Sequence, residues 1–143
     1  MKKISVLVLF FMLIFSSNAL AANWVWVTSN DECTLYIDCN NVKFETSRFS
    51  DGMIYIYCYA RYVNLEENEY GVKSIIQKTK FRVNGYEDVT NVSNVRSCIT
   101  SSISYDSSGH LIASNSYPEI WTDVMPDTFA SALYFITWQY YRK

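Results

Sequence analysis

Histidine occurs once in the 143 residues and glycine four times, and no two of the four cysteines form a Cys-x-x-Cys pair. Each scarcity closes off a kind of chemistry. A catalytic nucleophile needs a base within hydrogen-bonding reach, yet the single histidine, His110, follows Gly109 in a turn-forming stretch and reads as a surface turn residue. Four glycines leave no glycine-rich loop to cradle a phosphate. Zinc sites draw on cysteines and histidines at short spacings, which this chain does not offer. Basic charge is scarce too: 12 Lys and Arg against 14 Asp and Glu give a formal net charge of −2. Without a basic stripe to neutralise phosphates, nucleic acid is not an expected partner.

Long apolar runs are also missing, with one exception. Met1-Lys2-Lys3 precedes an apolar run at 4–15, then Ser16-Ser17-Asn18 and Ala19-Leu20-Ala21. A charged start, a short hydrophobic stretch and small residues at the Ala-x-Ala positions describe an export signal. The run falls short of the about 20 residues that a membrane span needs. The first cysteine is Cys33, so no lipid attachment site adjoins the cleavage point. Cleavage after Ala21 is expected to remove 21 of 143 residues and leave 122, with the charge moving from −2 to −4 as Lys2 and Lys3 depart. Residues 22–143 then form one domain, exported to the cell surface, the medium or the periplasm, with no later segment able to span a bilayer.

What is present is alternation. At 53–63, Ile54, Ile56, Cys58 and Ala60 fall on one side and Tyr55, Tyr57, Tyr59 and Arg61 on the other. A period of two marks a half-buried strand. At 72–83, Ile75, Gln77, Thr79, Phe81 and Val83 oppose Ile76, Lys78, Lys80 and Arg82, placing three cations across from the tyrosines. Further strands are expected at 23–28, at 33–44 with a break at Asn40-Asn41, at 95–105 and at 110–116; Asp106-Ser107-Ser108-Gly109 is the turn between the last two. The acidic loop at 64–71 is expected to be solvated. Asp127 or Thr128 can cap a final helix, whose buried face would hold Phe129, Ala132, Leu133, Ile136 and Tyr140, with Arg142 and Lys143 favouring its C-terminus. The expected fold is α+β: one antiparallel sheet of about six strands in a meander, with a C-terminal helix packed on one face.

Four cysteines in an exported domain suggest two disulfides; four buried thiols are the alternative. Cys33 and Cys39 flank extended chain, too far apart to bond. Folding 33–44 against 53–63 brings Cys39 toward Cys58, which leaves Cys33 with Cys98. The second pair requires a bulge, because Ile99 and Ile103 otherwise turn Cys98 to the wrong side.

Several short motifs recur in a familiar order. They are Trp24-Val25-Trp26-Val27, Tyr36-Ile37-Asp38, a tyrosine-rich strand, Cys98 seven residues before Tyr105-Asp106-Ser107-Ser108-Gly109, then Pro118, Trp121 and Met125-Pro126-Asp127-Thr128. In this the chain resembles the bacterial surface-adhesin family named after protein E, over nearly all of the mature length. The resemblance implies an exported antiparallel sheet with a C-terminal helix, able to dimerise, and an adhesin for host matrix or serum proteins such as laminin and vitronectin. Relatives that close the helix with a cysteine differ from this chain, which has none at 138–143.

No catalytic constellation is evident. Ser101, Ser102 and Ser104 read as the polar alternates of a strand, and Glu119 and Asp123 flank an ordinary turn rather than the apolar pocket a raised carboxyl pKa needs. The expectation is a non-catalytic protein-interaction module without a cofactor or metal, binding a host or envelope protein through Tyr55, Tyr57, Tyr59 and Arg61; tyrosine and arginine are enriched at interface hot spots. The same stripe would also serve a homodimer. The alternative is an envelope structural subunit with no host ligand. An enzymatic or small-ligand domain would need a cavity between helix and sheet lined by Trp121 and Trp138.

Overall fold

The computed structural model describes residues 22–141. The expected export signal, and Arg142 and Lys143, lie outside the described residues. Eight strands precede one helix: β1 (Trp24–Ser29), β2 (Cys33–Asp38), β3 (Lys43–Thr46), β4 (Met53–Asn64), β5 (Ser74–Asn84), β6 (Arg96–Tyr105), β7 (Leu111–Ser116), β8 (Thr122–Asp123) and α1 (Phe129–Thr137). The main sheet runs β1-β2-β4-β5-β6-β7, with β3 also on β4 and β8 also on β6. Every pairing is antiparallel. The fold is therefore α+β, a meander with one C-terminal helix.

β4 is the spine. Its second half pairs with β2 (Ile37 opposite Ala60) and its first half with β3 (Lys43 opposite Tyr57). β2 and β3 are thus one strand broken by a single 3-10 turn at Cys39–Asn41. Asp38 makes the break: its carboxylate accepts hydrogen bonds from the backbone N–H groups of Asn23 (3.1 Å) and Asn40 (3.1 Å) and from Asn41 Nδ2 (2.6 Å). A side chain that bonds the backbone two residues on competes with the ladder and bends the chain away from it.

The alternation read from the sequence holds on both central strands. Ile56, Cys58, Ala60, Phe81 and Val83 are buried on the helix side with Leu35 and Ile37 of β2. Helix α1 covers them. Thr128 caps it: Thr128 Oγ1 accepts from Ser131 N (3.2 Å) while Ser131 Oγ accepts from Thr128 N (3.0 Å), a reciprocal capping box. Asp127, the other candidate cap, instead takes a left-handed backbone at φ 57° that turns the chain into the helix.

The helix is rotated from the expected face. Leu133 is buried as foreseen, but Tyr134 and Thr137 share the deepest positions, while Ala132, Ile136 and Tyr140 are only half-buried. Tyr134 explains the rotation. Its ring meets Phe81 edge-on at 5.6 Å, and its hydroxyl donates to the Val89 carbonyl at 2.7 Å. A tyrosine can be buried so deeply only when its hydroxyl finds an acceptor, and the loop before β6 supplies one.

Two outcomes follow. In urea unfolding, Phe81→Ala should cost about 3–5 kcal/mol, and Tyr134→Phe about 1 kcal/mol by stranding the Val89 carbonyl; wild-type stability in the second variant would remove that hydrogen bond from the stabilising set. Burial also pushes the Cys58 thiol and the Tyr62 and Tyr134 phenols up to about 12, with the nearby Cys58 and Cys33 adding to the effect on Tyr62. The folded state holds these protons more tightly than the unfolded chain. Their contribution is whole below roughly pH 8.5, where an unfolded thiol begins to ionise, and is lost as pH rises toward 12. Urea midpoints measured from pH 7 to 11 should fall through that window, and a flat profile would contradict the burial of these groups.

Candidate interaction face

The face of the sheet opposite the helix carries the residues expected to meet a partner. Tyr55, Tyr57, Tyr59 and Arg61 of β4 stand across from Arg82, Lys80, Lys78 and Ile76 of β5. The structure divides this row into a covered half and an open half.

Segment 117–123 makes the division. After β7 the chain continues along the edge of β6, with Tyr117 N donating to Thr100 O (2.9 Å) and β8 pairing with Arg96 and Ser97. This carries Glu119 and Trp121 over the first half of the row. Lys80 Nζ lies 5.2 Å from the Tyr55 ring, 5.3 Å from Tyr57 and 5.5 Å from Trp121, and it bonds the Glu119 carboxylate at 2.9 Å. The Arg82 guanidinium sits 4.6 Å from the centre of the Trp121 ring. Burial pulls the Lys80 ammonium down, but the bond to Glu119 and the neighbouring Tyr57 outweigh it and leave its pKa raised. Burial, followed by a hydrogen bond to Glu45, raises the Tyr57 phenol. The stacking of cations on the tyrosines that the sequence suggested is realised here by Lys80, and it occupies Tyr55 and Tyr57 within the molecule.

Tyr59 and Arg61 remain on the open half. Tyr59 is 37% exposed and borders a hollow of 230 Å³ with Trp24, Asp38, Asn41 and Ile76. Arg61 borders a second hollow of 340 Å³ with Lys73, Tyr105, Asp106 and Ser107. Arg61 Nε is buried with no hydrogen-bond partner. The expected site residues therefore share a face but not an environment.

A bulge on β6 rearranges its faces. The register shifts between Lys78 and Thr79, leaving Thr100 as the extra residue opposite them. Ile103 lines up with Ile76 on the open face, and Ile99 lines up with Thr79 on the helix side, where it is 40% exposed. Cys98 pairs with Lys80 and lies buried beneath segment 117–123. Period-two reading put both isoleucines on one side; one inserted residue separates them.

The expected disulfides are not formed, and all four cysteines are free thiols. Cys33 is on β2 and Cys98 on β6, with β4 and β5 between them. Three strand spacings of about 4.8 Å exceed the reach of a disulfide, and the bulge at Thr100 redirects Ile103 while leaving Cys98 on the face away from the core. Cys39 leaves the inward alternation of Leu35 and Ile37 because the strand breaks at that residue, so it is half-buried while Cys58 points into the core.

A hollow of 830 Å³ lies on the helix side between 28–30, 90–92 and the start of α1, and its only titratable lining residue is Asp127. Trp121 and Trp138 are on opposite sides of the sheet: Trp121 is near Tyr55, and Trp138 packs on Phe44, Tyr134 and Tyr141. His110 is at the β6–β7 turn, its Nδ1 3.3 Å from Asp106 Oδ2 and its side chain 82% exposed. Among the described residues, no group of three or more His, Cys, Asp or Glu side chains is placed to hold a metal ion, and no helix is long and apolar enough to cross a membrane.

The thiols provide a direct check. A thiol reagent at pH 8 should modify Cys33 and Cys39 in the native protein, leave Cys58 and Cys98 protected, and titrate four thiols after denaturation. Fewer than four in denaturant without reductant would mean that a disulfide exists. Comparison of the chain with family models, with curated proteins and with solved structures found no match in any of the three.

Proposed function

We propose that this chain is an exported, non-catalytic interaction module that binds a protein partner, a host matrix or serum protein, through the helix-free face of its sheet. This is the role its resemblance to the surface-adhesin protein E family implies. The observation that carries the reading is the open half of the face: Tyr59 is exposed beside an arginine that makes no hydrogen bond or ion pair among the described residues. An exposed aromatic ring beside a half-buried guanidinium that has no partner, with shallow hollows on either side, suits a hot spot on a flat interface.

Tyr55 and Tyr57 hold Lys80 in place, so substituting them would test packing as much as binding. The test is saturable binding of the purified mature domain to a panel of immobilised matrix and serum proteins, beside Tyr59→Ser and Arg61→Gln. At least one ligand should be bound, with each variant weaker by tenfold or more and an unchanged circular-dichroism spectrum. No binding across the panel would move the reading to a structural subunit of the cell envelope, and co-purification with envelope proteins would then be expected.

A further inference from the structure

The chain as a whole is acidic, yet its cations are segregated. The described residues contain eight Lys and Arg side chains, and six of them, Lys43, Arg61, Lys78, Lys80, Arg82 and Arg96, stand on the helix-free face by register. The carboxylates on or beside this face are engaged within the molecule: Glu45 with the Tyr57 phenol, Asp38 with Asn23, Asn40 and Asn41, and Asp106 with the N–H groups of Ser108 and His110. Glu119 takes Lys80 at 2.9 Å and Asp123 takes Arg96 at 3.0 Å, while Trp121 covers Arg82. Arg61 and Lys78 make no ion pair or side-chain hydrogen bond among the described residues. Both stand on the half that segment 117–123 leaves uncovered.

Their neighbours fix the kind of ligand. Arg61 lies opposite Ile76, and Lys78 lies opposite Tyr59. Ile103 extends the first row, and Tyr36 flanks Arg61 on the other side. Cations thus alternate with apolar side chains over two rows. Diagonal neighbours on adjacent antiparallel strands are about 7–8 Å apart, and in an extended peptide the side chains of residues i and i+2 project from one side about 6.5–7 Å apart. Two carboxylates at alternate positions of an extended chain therefore match Arg61 and Lys78. The aliphatic stems of such a segment would lie on Ile76 and Ile103, and Tyr59 would close one end.

We infer that the open half of this face takes an extended acidic protein segment with Asp or Glu at alternate positions, one carboxylate paired with Arg61 and the next with Lys78. The inference rests on the proposed role of this face as an interface and names the chemistry of the partner. A sulfated glycan is the lesser match. Such chains are bound by dense arrays of unneutralised cations, and here three of the six are already satisfied within the molecule.

The test uses a capped peptide of five residues, alternating glutamate and leucine with glutamate at positions 1, 3 and 5, and the same peptide with glutamine. Isothermal titration on the mature protein should show the glutamate peptide at least tenfold tighter, with the difference shrinking at high salt. Arg61→Gln combined with Lys78→Gln should abolish the preference, and Arg48→Gln, in the turn between β3 and β4, should leave it intact. Arg61 is half-buried, so if its variant melts early then Lys78→Gln alone carries the comparison and should cost at least threefold. Equal binding of the two peptides overturns the inference. Tight binding of a heparin fragment with no glutamate preference overturns it in favour of a glycan. If the peptide preference holds while no host protein binds, the ligand class stands and the adhesin role falls. If a host protein binds and the peptides do not differ, the role stands and the ligand class falls.

Discussion

A side-chain period of two, held over the 12 residues of β4, divides this molecule. Residues of even number from Ile54 to Ala60 face the helix, and the intervening tyrosines face away. The pleat permits no compromise, because a slip of one residue would exchange the whole of one face for the other. In β4 that exchange would bury Tyr55, Tyr57 and Arg61 against α1 and expose Ile56 and Cys58. The same constraint passes to β5 through the ladder, where Phe81 must fall beside Ile56 and Lys80 beside Tyr57. The apolar core and the cationic outer face are two consequences of one register.

The outer face then had to accommodate a lysine among aromatic rings. Removing an ammonium from water is expensive unless it is paired, and Lys80, with only 14% of its side chain exposed, is deeply screened. Two tyrosines and a tryptophan supply ring faces and Glu119 supplies the counter-charge. Both Glu119 and Trp121 arrive from beyond β7, so the cluster ties the late part of the chain to β4 and β5. Cys98 lies beneath the same cover. That cover also explains why the tyrosine stripe is not uniform: the half it reaches is packed, and the half it does not reach keeps Tyr59 and Arg61 available.

The parts of this architecture visible in the sequence were those carried by regular alternation. The two long strands, their faces, the turn at Asp106 to Gly109 and the helix start all follow from period and capping chemistry. The parts that were hidden each depend on one local event. Thr100 inserts into β6 and sends Ile99 and Ile103 to opposite faces; a bulge leaves no mark in a strand whose serines suit either side. Asp38 stops β2 and turns Cys39 out of line, although the suspected break at Asn40-Asn41 was nearly in the right place. Tyr134 depends on a carbonyl 45 residues earlier in the chain, a partner that helical spacing alone does not reveal. The candidate face was legible as a stripe, but its division was not, because the residues that cover it lie far away in sequence.

Net charge proved a poor guide to the local field. An overall charge of −2 argues against anionic partners, whereas the helix-free face gathers most of the described cations. What matters to a ligand is which of those cations remain unneutralised within a screening length, about 8 Å at physiological ionic strength. Lys80 and Arg96 contribute little at that distance, since each has a carboxylate within 3.0 Å. Arg61 and Lys78 form no ion pair among the described residues. Three unpaired cations, Lys43, Arg61 and Lys78, are too few to hold a phosphate backbone, whose affinity grows with the number of phosphates neutralised. Arg61 and Lys78 suffice to set the register of a partner that brings its own apolar contacts, because a carboxylate on a guanidinium confers geometry as well as energy. The acidic surface elsewhere on the domain would repel the same segment, so the open half of the sheet face is where electrostatics and apolar contact agree.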